Sequence, residues 1–459
     1  MSEESDETVE DKGNTPDFLE LKGTKDYLPR EQLIRERISD VMRSNFMKYG
    51  YGPVETSILE HYEVAASKYA GGSEILKETY RLRDQGGRDL CLRYELTFKL
   101  GKLIAMNQNL KMPFKRYEIG KVFRDGPVRA GRLREFTQCD ADVVGVKSVA
   151  ADAELIRMTF DIFTELGLNA SVSVNNRKLL FGLFEHCSIP PGLHVEAALS
   201  LDKLVKFGEK SVRDEMAQKG IPADAAGKLM SLLNEAMHID NYRGRIEFFG
   251  GILSDGIGRE GIAELGELFD FLESFGPVHD VAFLPTLARG LSYYTGPMWE
   301  VYVKEGQSNI TSSLAAGGRW DGMIDHFVGG NKVFPATGMT FGLDVIYAVL
   351  EERKLQGFST MLPHVPLVLI VPLKTLKECL GMSGELRSRG ISCDIAFEKS
   401  IGKSFEYANR NGVPFVIVVG RRELETGKVT LHDMATGKEQ VLDIAGAADL
   451  LASAMHSGR

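Results

Sequence analysis

The fold is decided by residues 121–145, which read KVFRDGPVRAGRLREFTQCDADVVG. Two strand-like runs, 115–123 and 136–144, flank a loop that holds two glycines and four arginines. Strands so close in sequence are expected to pair in an antiparallel sheet. Guanidinium groups bind phosphate through two parallel hydrogen bonds, so the loop is suited to a polyanionic ligand. A solvated basic hairpin is the alternative interpretation of the same residues.

The second strand of this stretch carries a row of polar side chains. Gln138, Asp140 and Asp142 alternate along it and therefore share one face. The opposite face is apolar and consists of Cys139, Ala141 and Val143. Amide and carboxylate groups on a central strand are costly unless they are solvated or liganded. The pattern predicts a cleft for a small cationic or hydrogen-bond-donating substrate, and an exposed sheet face remains the alternative.

Composition limits the class of protein. The 459 residues are 43% hydrophobic and 26% charged, with a net charge of −9, which is typical of a globular protein with two to four domains. A negative chain does not coat nucleic acid by charge alone, although a local basic surface stays open. No apolar run approaches the ~18 residues of a membrane span. Residues 1–17 are strongly acidic and are expected to form a disordered tail.

Cysteine and histidine spacing argues against a metal or disulfide framework. The five cysteines are scattered, none lies at CxxC spacing, and the nine histidines show no paired spacing. No metal site is therefore predicted from the protein's own residues. Unpaired cysteines are typical of a reducing compartment, so we expect a cytoplasmic protein without membrane association.

Hydrophobic periodicity divides the rest of the chain. Residues 31–49 have the spacing of an amphipathic helix. Strands and helices then alternate to about residue 169, and residues 179–276 are predicted to form a helical insertion. Strands are predicted again at 281–284 and 298–303, followed by a helix at 343–353. From residue 366, alternating strands and helices predict βαβ units in a small α/β domain.

Four further segments carry polar side chains, and three of them also contain glycine. Glu95 and Thr97 share a face in the run 93–97, Arg-Tyr-Glu-Leu-Thr. Residues 289–294 read Arg-Gly-Leu-Ser-Tyr-Tyr, and core packing does not explain the arginine. Residues 317–321 read Gly-Gly-Arg-Trp-Asp, and residues 338–344 form a glycine-punctuated strand that enters a helix. Glycine pairs form tight turns or let a backbone approach a ligand closely.

These five segments, in this order, resemble the histidyl-tRNA synthetases, a family of class II aminoacyl-tRNA synthetases. The likeness begins at residues 22–29, KGTKDYLP, and covers nearly the whole chain. It implies an α/β fold: an α+β catalytic core (residues 18–362) with a mostly antiparallel sheet flanked by helices, and the helical insertion at about 179–276. It also implies that residues 366–459 form a small α/β anticodon-binding domain.

The resemblance assigns roles to individual residues. Glu95, Thr97 and Gln138 would hold the α-ammonium group of histidine, and Asp142 with Tyr293 or Tyr294 would bind the imidazole nitrogens. Arg124 and Arg289 would be catalytic: both would hold the α-phosphate, and Arg124 also the substrate carboxylate. The remaining residues would face ATP and the tRNA end: Arg129, Arg132, Gly317, Gly318 and Arg319.

The sequence departs from the family pattern at five positions. Ser292, Trp320 and Gly126 replace an aspartate, a tyrosine and an acidic residue, and Ser57 stands where a proline is usual. The fifth is Val345, which replaces an arginine that normally packs over adenine and reaches the terminal phosphate. Arg319 or another basic residue is a candidate to compensate for it.

The resemblance also implies the substrates and partners. They are L-histidine, ATP with Mg²⁺, and the tRNA for histidine, with no tightly bound cofactor. A homodimer is expected through the apolar face of the 31–49 helix. The alternative is a non-catalytic histidine-binding paralogue, similar to the regulatory subunit of ATP phosphoribosyltransferase. That subunit lacks the terminal domain predicted here from residue 366.

Overall fold

The computed structural model describes residues 20–456 apart from 69–72, 129–130, 277–279, 290–292, 305, 307, 329–332, 354–364 and 398–399. The predicted acidic tail lies outside these residues. The chain forms two compact units. The first consists of Met1–Asp26 and Arg35–Lys354, and the second of Tyr27–Ile34 and Leu355–Arg459.

The first unit combines an eight-stranded sheet, a three-stranded sheet and helices. Its strands are β1 (Gly52–Pro53), β2 (Leu59–His61), β3 (Arg81–Arg83), β4 (Asp89–Leu92), β5 (Phe114–Phe123), β6 (Glu135–Val144), β7 (Ala170–Asn176), β8 (Val281–Phe283), β9 (Pro297–Val303), β10 (Ala315–Arg319) and β11 (Ala336–Gly342). Its helices outside the insertion are α1 (Pro29–Lys48, which belongs to this unit from Arg35), α2 (Tyr62–Lys68), α3 (Ser73–Lys77), α4 (Thr97–Met106) and α5 (Ala150–Glu165).

The large sheet has the order β1-β5-β6-β11-β10-β9-β7-β8. Its pairs are antiparallel except β1 with β5 and β7 with β8, which are parallel. The predicted mostly antiparallel sheet is therefore confirmed. The predicted strands 115–123 and 136–144 are β5 and β6, which pair with Arg116 opposite Asp142 and Phe123 opposite Glu135. The polar strand thus lies between β5 and β11, inside the sheet.

One face of this sheet is apolar and covered by helices. Cys139, Ala141 and Val143 of β6 are fully buried, as the alternation predicts. On the neighbouring strand, the ring of Phe341 lies 5.9 Å from that of Phe46 in α1 and 5.9 Å from that of Phe163 in α5. The core of the unit therefore lies between this face and two long helices, so the polar face on the other side is left for the site.

The apolar face of α1 packs inside its own chain. Ile38, Val41, Met42 and Phe46 have no solvent exposure. The prediction that this face forms a subunit interface loses its basis, because the sheet of the same unit already covers it. The error arose because helical periodicity identifies an apolar face but not what covers it.

Six helices follow one another where the insertion was predicted. They are α6 (Arg177–His186), α7 (His194–Leu201), α8 (Leu204–Gln218), α9 (Ala223–Met237), α10 (Tyr242–Ile252) and α11 (Gly256–Ser274). The helix α8 is kinked at Gly208, where φ is 77° and the backbone is not helical. The unit ends with α12 (Asp325–Val328) and α13 (Leu343–Glu352), which follows β11 directly.

The second unit is a five-stranded mixed sheet with helices. Its strands are β12 (Val368–Pro372), β13 (Cys393–Ile395), β14 (Phe415–Val419), β15 (Val429–Asp433) and β16 (Glu439–Leu442). Its helices are α14 (Leu376–Ser388), α15 (Ile401–Asn411), α16 (Arg421–Thr426) and α17 (Ile444–His456). β12 pairs in parallel with β13 and β14, as the predicted βαβ units require, whereas β15 and β16 add an antiparallel pair that the periodicity did not indicate.

Within the described residues, no helix is both long and apolar enough to cross a membrane. In the same part of the chain, no group of three or more His, Cys, Asp or Glu side chains is placed to hold a metal ion. All five cysteines are buried and free of disulfide bonds.

A buried ion pair fixes β10 to α5 on the apolar side of the sheet. The guanidinium group of Arg319 contacts the carboxylate of Asp152. It also donates to the carbonyl oxygens of Val146 (2.9 Å) and Ser148 (3.0 Å). Thr337 donates to the other carboxylate oxygen of Asp152 at 2.7 Å. Breaking one partner of such a pair leaves an uncompensated buried charge.

We expect Arg319→Met to lower the free energy of unfolding by about 3–5 kcal/mol, because Asp152 loses its cation and must either stay buried as an uncompensated charge or take up a proton. The double variant Arg319→Met/Asp152→Asn should lose clearly less, since neither charge then remains. Urea unfolding followed by circular dichroism measures both. Equal losses for the single and double variants would show that the pair contributes only through packing.

Candidate active site

The polar face of the large sheet forms the floor of the candidate site. β6 contributes Gln138, Asp140 and Asp142, a row of side chains on alternate residues, and all three are at most 7% exposed. The exposed sheet face, the alternative interpretation, is therefore excluded for this row. Oε1 of Gln138 is buried without a hydrogen-bond partner among the described residues, as is Oε1 of Glu95. Such atoms indicate a place for a ligand that donates hydrogen bonds.

Glu95 lies just before α4 and adds a third buried carboxylate. It is 6% exposed, and its Oε1 is buried without a hydrogen-bond partner in the described part of the chain. Burial raises the pKa of Glu95 to about 7, against the opposing effect of Arg124. Thr97, the first residue of α4, is 7% exposed. This carboxylate is suited to a cationic group, which would stabilise its ionised form.

Asp142 does not stand alone on its strand. Its Oδ2 lies 2.8 Å from Nη2 of Arg116, the residue directly opposite on β5. The same Nη2 lies 3.9 Å from Oδ2 of Asp140. Burial raises the pKa of both aspartates and Arg116 opposes that shift; the charge of Asp142 adds to it at Asp140, and the charge of Glu95 adds to it at Asp142. One guanidinium group is thus shared between two buried carboxylates.

Two glycines make room for the site's side chains. A Cβ on Gly338 would lie 1.9 Å from Oδ1 of Asp142, so the carboxylate occupies the space above β11. A Cβ on Gly318 would lie 2.6 Å from Cε1 of Tyr294, so that ring lies over β10. Gly318 and Gly338 are register partners on adjacent strands. The glycine-rich segments therefore permit close approach of site residues to the sheet.

The tyrosine pair and Arg289 lie next to this floor. The rings of Tyr293 and Tyr294 are 4.9 Å apart between centroids, and burial together with the charge of Glu95 raises the pKa of Tyr293. The guanidinium carbon of Arg289 lies 5.7 Å from the centroid of the Tyr294 ring. Its Nη1 forms an ion pair with Oε1 of Glu300 on β9 at 3.1 Å. The intervening residues 290–292, including the variant Ser292, lie outside the described residues.

Arg124 is held between two aromatic rings at the end of β5. Its guanidinium carbon lies 4.3 Å from the centroid of the Tyr94 ring and 5.0 Å from that of Phe136. Its Nε donates to the carbonyl oxygen of Tyr94 at 3.3 Å. The stacking fixes the plane of the guanidinium group while leaving other donors for an anion.

The basic loop between β5 and β6 is only partly described. Nη2 of Arg132 lies 3.4 Å from both carboxylate oxygens of Glu78. Arg129 lies outside the described residues. A Cβ on Gly131 would lie 3.5 Å from Cγ2 of Val345, so the valine that replaces the expected arginine lies under this loop.

Asp344, the neighbour of Val345, has a structural position. Oδ2 of Asp344 accepts a hydrogen bond from the backbone N–H of Thr137 at 2.7 Å. Its Oδ1 pairs with Arg35 of α1, and both side chains are at most 6% exposed. The start of α13 is thereby bonded to β6 and α1, beside the row of polar side chains.

Two of the predicted site residues lie elsewhere. Arg319 points to the apolar side of the sheet, where Asp152 and two carbonyl groups take its donors, so it cannot compensate for Val345. Gly317 also faces that side, since a Cβ there would lie 2.6 Å from Cζ2 of Trp299. The strand alternation that placed Gly318 in the site excludes both of its neighbours.

Sequence reasoning missed three charged residues of the site: Arg116, Glu118 and Glu300. A signal for two of them was available. Arg116 and Glu118 alternate along the predicted strand 115–123, and antiparallel pairing places them opposite Asp142 and Asp140. Counting outward from the loop would have found these pairs. Glu300 has no comparable signal, because its partner Arg289 precedes β9 in an irregular segment.

The strand order of the large sheet and its polar face define a class II aminoacyl-tRNA synthetase fold. The crystal structure of histidyl-tRNA synthetase from Nostoc sp. PCC 7120 matches with a TM-score of 0.79 and 27% identity, covering 95% of this chain and 99% of that one. An "ATP phosphoribosyltransferase regulatory subunit/histidyl-tRNA synthetase" from Bacillus halodurans matches with a TM-score of 0.70, covering 85% of this chain and 96% of that one. Its 22% identity carries the likeness of fold alone.

The chain belongs to the histidyl-tRNA synthetase family. The family model described as histidyl-tRNA synthetase matches residues 23–346, and that of the anticodon binding domain matches residues 367–453. "Histidine--tRNA ligase 1" of Bacillus thuringiensis is 41% identical over 434 residues, which are 94% of this chain and 99% of that protein.

The buried carboxylates make stability depend on pH in a specific direction. An unfolded aspartate has a pKa of about 3.9, and burial raises that of Asp140 to about 7. Between these values the folded state binds more protons than the unfolded state. The stabilising contribution of this group is complete below about pH 4 and is lost as the pH rises through about 7.

We expect Asp140→Asn to raise the free energy of unfolding at pH 8 by about 1–3 kcal/mol, because one of two carboxylates that share a cation is removed. Urea unfolding at pH 5 and pH 8 should show a smaller decrease with pH in the variant than in the wild type. Asp270→Asn, at an exposed position of α11, is the matched control. Identical slopes for all three proteins would contradict the expectation.

Proposed function

We propose that the protein is a histidine–tRNA ligase, which activates L-histidine with ATP and transfers it to the tRNA for histidine. One observation carries the proposal: buried carboxylates form the floor of the site, while Arg124 and Arg289 lie at its edge. An amino acid with a cationic ammonium group and an imidazole suits the floor. Its carboxylate, next to a phosphate, suits the arginines.

The floor is assigned to the amino acid. Glu95, Thr97 and Gln138 bind the α-ammonium group, and Asp142 with Tyr293 or Tyr294 binds the imidazole. The unpartnered oxygens of Glu95 and Gln138 support the assignment, since both need donors. A site built from polar groups rejects analogues that leave them unpaired, with discrimination of about 10⁴ or more.

The edge of the site is assigned to ATP and the reaction. The histidine carboxylate attacks the α-phosphate and pyrophosphate leaves, so catalysis consists mainly of positioning and charge neutralisation. Arg124 and Arg289 supply that charge, and Arg129 and Arg132 lie on the loop assigned to ATP and the tRNA end. ATP enters as its magnesium complex, in which Mg²⁺ neutralises the phosphates.

The domain assignment follows from this function. Residues 18–362 form the catalytic domain, with the insertion at about 179–276, and residues 366–459 form the anticodon-binding domain. The match of the anticodon binding domain to residues 367–453 supports the second assignment. The alternative, a non-catalytic histidine-binding regulatory paralogue, lacks this domain. The cytoplasm, where tRNA is charged, is the proposed compartment, and five free cysteines are compatible with it.

Histidine-dependent exchange of pyrophosphate into ATP tests the function. The wild type should exchange with histidine and not with other amino acids, because only an imidazole satisfies Asp142. Arg289→Ala should lower the rate about 10²–10³-fold, the effect typical of losing one donor to transition-state charge.

The matched control for that assay is Arg157→Ala, which removes the ion pair with Asp161 on α5. It should leave the exchange rate unchanged. Absence of exchange by folded wild type would refute the ligase and favour the regulatory paralogue. An unchanged rate in Arg289→Ala would remove this arginine from the mechanism.

The chain is also proposed to form a homodimer. The apolar face of α1 is covered within the chain, so the support comes from the edge strand β2 and the residue before it. There Ile58 and Leu59 are 41% and 49% exposed. Exposed apolar residues beside an unpaired strand edge are typical of an interface. Sedimentation velocity at micromolar concentration should give a dimer, and Leu59→Lys should weaken it; a wild-type monomer would refute the proposal.

A further inference from the structure

A buried ionic cluster lies directly beneath the proposed imidazole site. It consists of two arginines and three carboxylates on neighbouring segments: Arg93, Arg116, Glu118, Asp140 and Asp142. None of the five is more than 6% exposed. The resemblance to the family assigned a role to Asp142 alone among them. The cations are fewer than the carboxylates, so their distribution decides which carboxylate is neutralised.

Glu118 and Arg93 satisfy each other. Oε1 of Glu118 accepts hydrogen bonds from Nη1 of Arg93 (2.9 Å) and from the backbone N–H (2.9 Å) and hydroxyl (2.8 Å) of Thr56. Arg93 also donates from Nε to the carbonyl oxygen of Lys121 at 2.7 Å. Arg93 and Glu118 therefore neutralise each other, and Arg116 is the cation that pairs with the aspartates.

Arg116 is committed mainly to Asp142. Its side chain has no exposure, and its Nη2 is 2.8 Å from Oδ2 of Asp142, 3.3 Å from the carbonyl oxygen of Leu96 and 3.9 Å from Oδ2 of Asp140. Its Nη1 lies 3.5 Å from Oε2 of Glu118. The contact at Oδ2 turns the other oxygen of Asp142 toward the space above Gly338.

We propose that Arg116 is a positioning residue that sets the specificity for histidine: its guanidinium group keeps Asp142 ionised and oriented as the hydrogen-bond acceptor for the imidazole N–H. The inference rests on the proposed function. Arg116 itself is at the back of Asp142 and acts through that carboxylate. A purely structural ion pair is the competing explanation, and it predicts a loss of stability without a change in recognition.

The chemistry of a carboxyl group explains why the charge matters. An ionised Asp142 accepts hydrogen bonds, whereas a protonated one also carries a donor that opposes an imidazole N–H. Burial raises the pKa of Asp142, and Arg116 is the largest influence that opposes it. Asp140 and Glu118 on the adjoining positions and Glu95 before α4 all face this group with negative charge. Without Arg116, Asp142 would hold its proton to a higher pH.

The test compares the wild type with Arg116→Met, Arg116→Lys and the charge-balanced Arg116→Met/Asp140→Asn. At pH 7, Arg116→Met should raise the KM for histidine about 10–100-fold, the range of one hydrogen bond to a charged group. The KM for ATP should change less than about threefold. In a plot of kcat/KM for histidine against pH, the rising limb should shift to higher pH. Arg116→Lys should reverse part of this shift and part of the rise in KM.

The double variant, compared with Asp140→Asn alone, separates recognition from folding. It removes one cation and one anion together, so it should fold even where Arg116→Met does not. Its KM for histidine should stay raised, because Asp142 has lost the group that orients it. The substrate imidazole titrates near pH 6.5 in every variant, so differences between pH profiles report the protein.

The matched control is Arg319→Met/Asp152→Asn, which removes a buried ion pair from the opposite face of the same sheet. It should lose stability and keep both KM values. The role of Arg116 is overturned by a KM for histidine within about twofold of wild type in the folded single or double variant, or by an equal rise for ATP. Calorimetric titration with histidine gives the same comparison from Kd. If the wild type shows no pyrophosphate exchange, the proposed ligase function is refuted. If the wild type is active and the Arg116 variants keep its KM for histidine, only the inference about Arg116 is refuted.

Discussion

Ionised groups are costly to bury, and this requirement organises the catalytic unit. The sheet places Asp140 and Asp142 in its interior, between β5 and β11, where water does not compensate them. A cation must therefore be built into the adjacent strand, and Arg116 supplies it from the directly opposite position. The antiparallel register of β5 and β6 is thus an electrostatic requirement as well as a matter of backbone hydrogen bonding.

The buried arginines do not neutralise all of the buried carboxylates. The carboxylate charge that remains lies where a substrate would bind. Arg93 neutralises Glu118, and Arg116 lies much closer to Asp142 than to Asp140. Among the described residues, one oxygen of Glu95 has no donor. The remaining negative charge stabilises a ligand that brings its own cationic and N–H groups. The uncompensated carboxylates lower the stability of the folded protein, and a ligand that neutralises them raises it. The raised pKa values are therefore related to recognition.

Much of this arrangement could be predicted from the sequence. The period of two along 136–144 separated the polar from the apolar face, and the short spacing of the two strands predicted their antiparallel pairing. Helical periodicity located α1 to within a few residues and predicted the helical insertion that contains α9. These features depend on local patterns, which a single chain displays directly.

The errors came from features that depend on long-range contacts. The apolar face of α1 was visible in the sequence, but the strand that covers it is almost 300 residues away, at Phe341. The resemblance assigned Arg319 to ATP and the tRNA end, yet its side chain points to Asp152 on the other side of the sheet. Neither the identity of a covering element nor the partner of a charge follows from periodicity.

The contact between Gly338 and Asp142 also constrains how this protein can evolve. Any side chain at position 338 would occupy the space of the Asp142 carboxylate, and a longer acid at 142 would need that space to be larger. Position 338 cannot gain a side chain while Asp142 stays, although 196 residues separate the two along the chain. A substitution that enlarges either side chain in this pocket is therefore unfavourable by itself, and both positions must change together to avoid that intermediate.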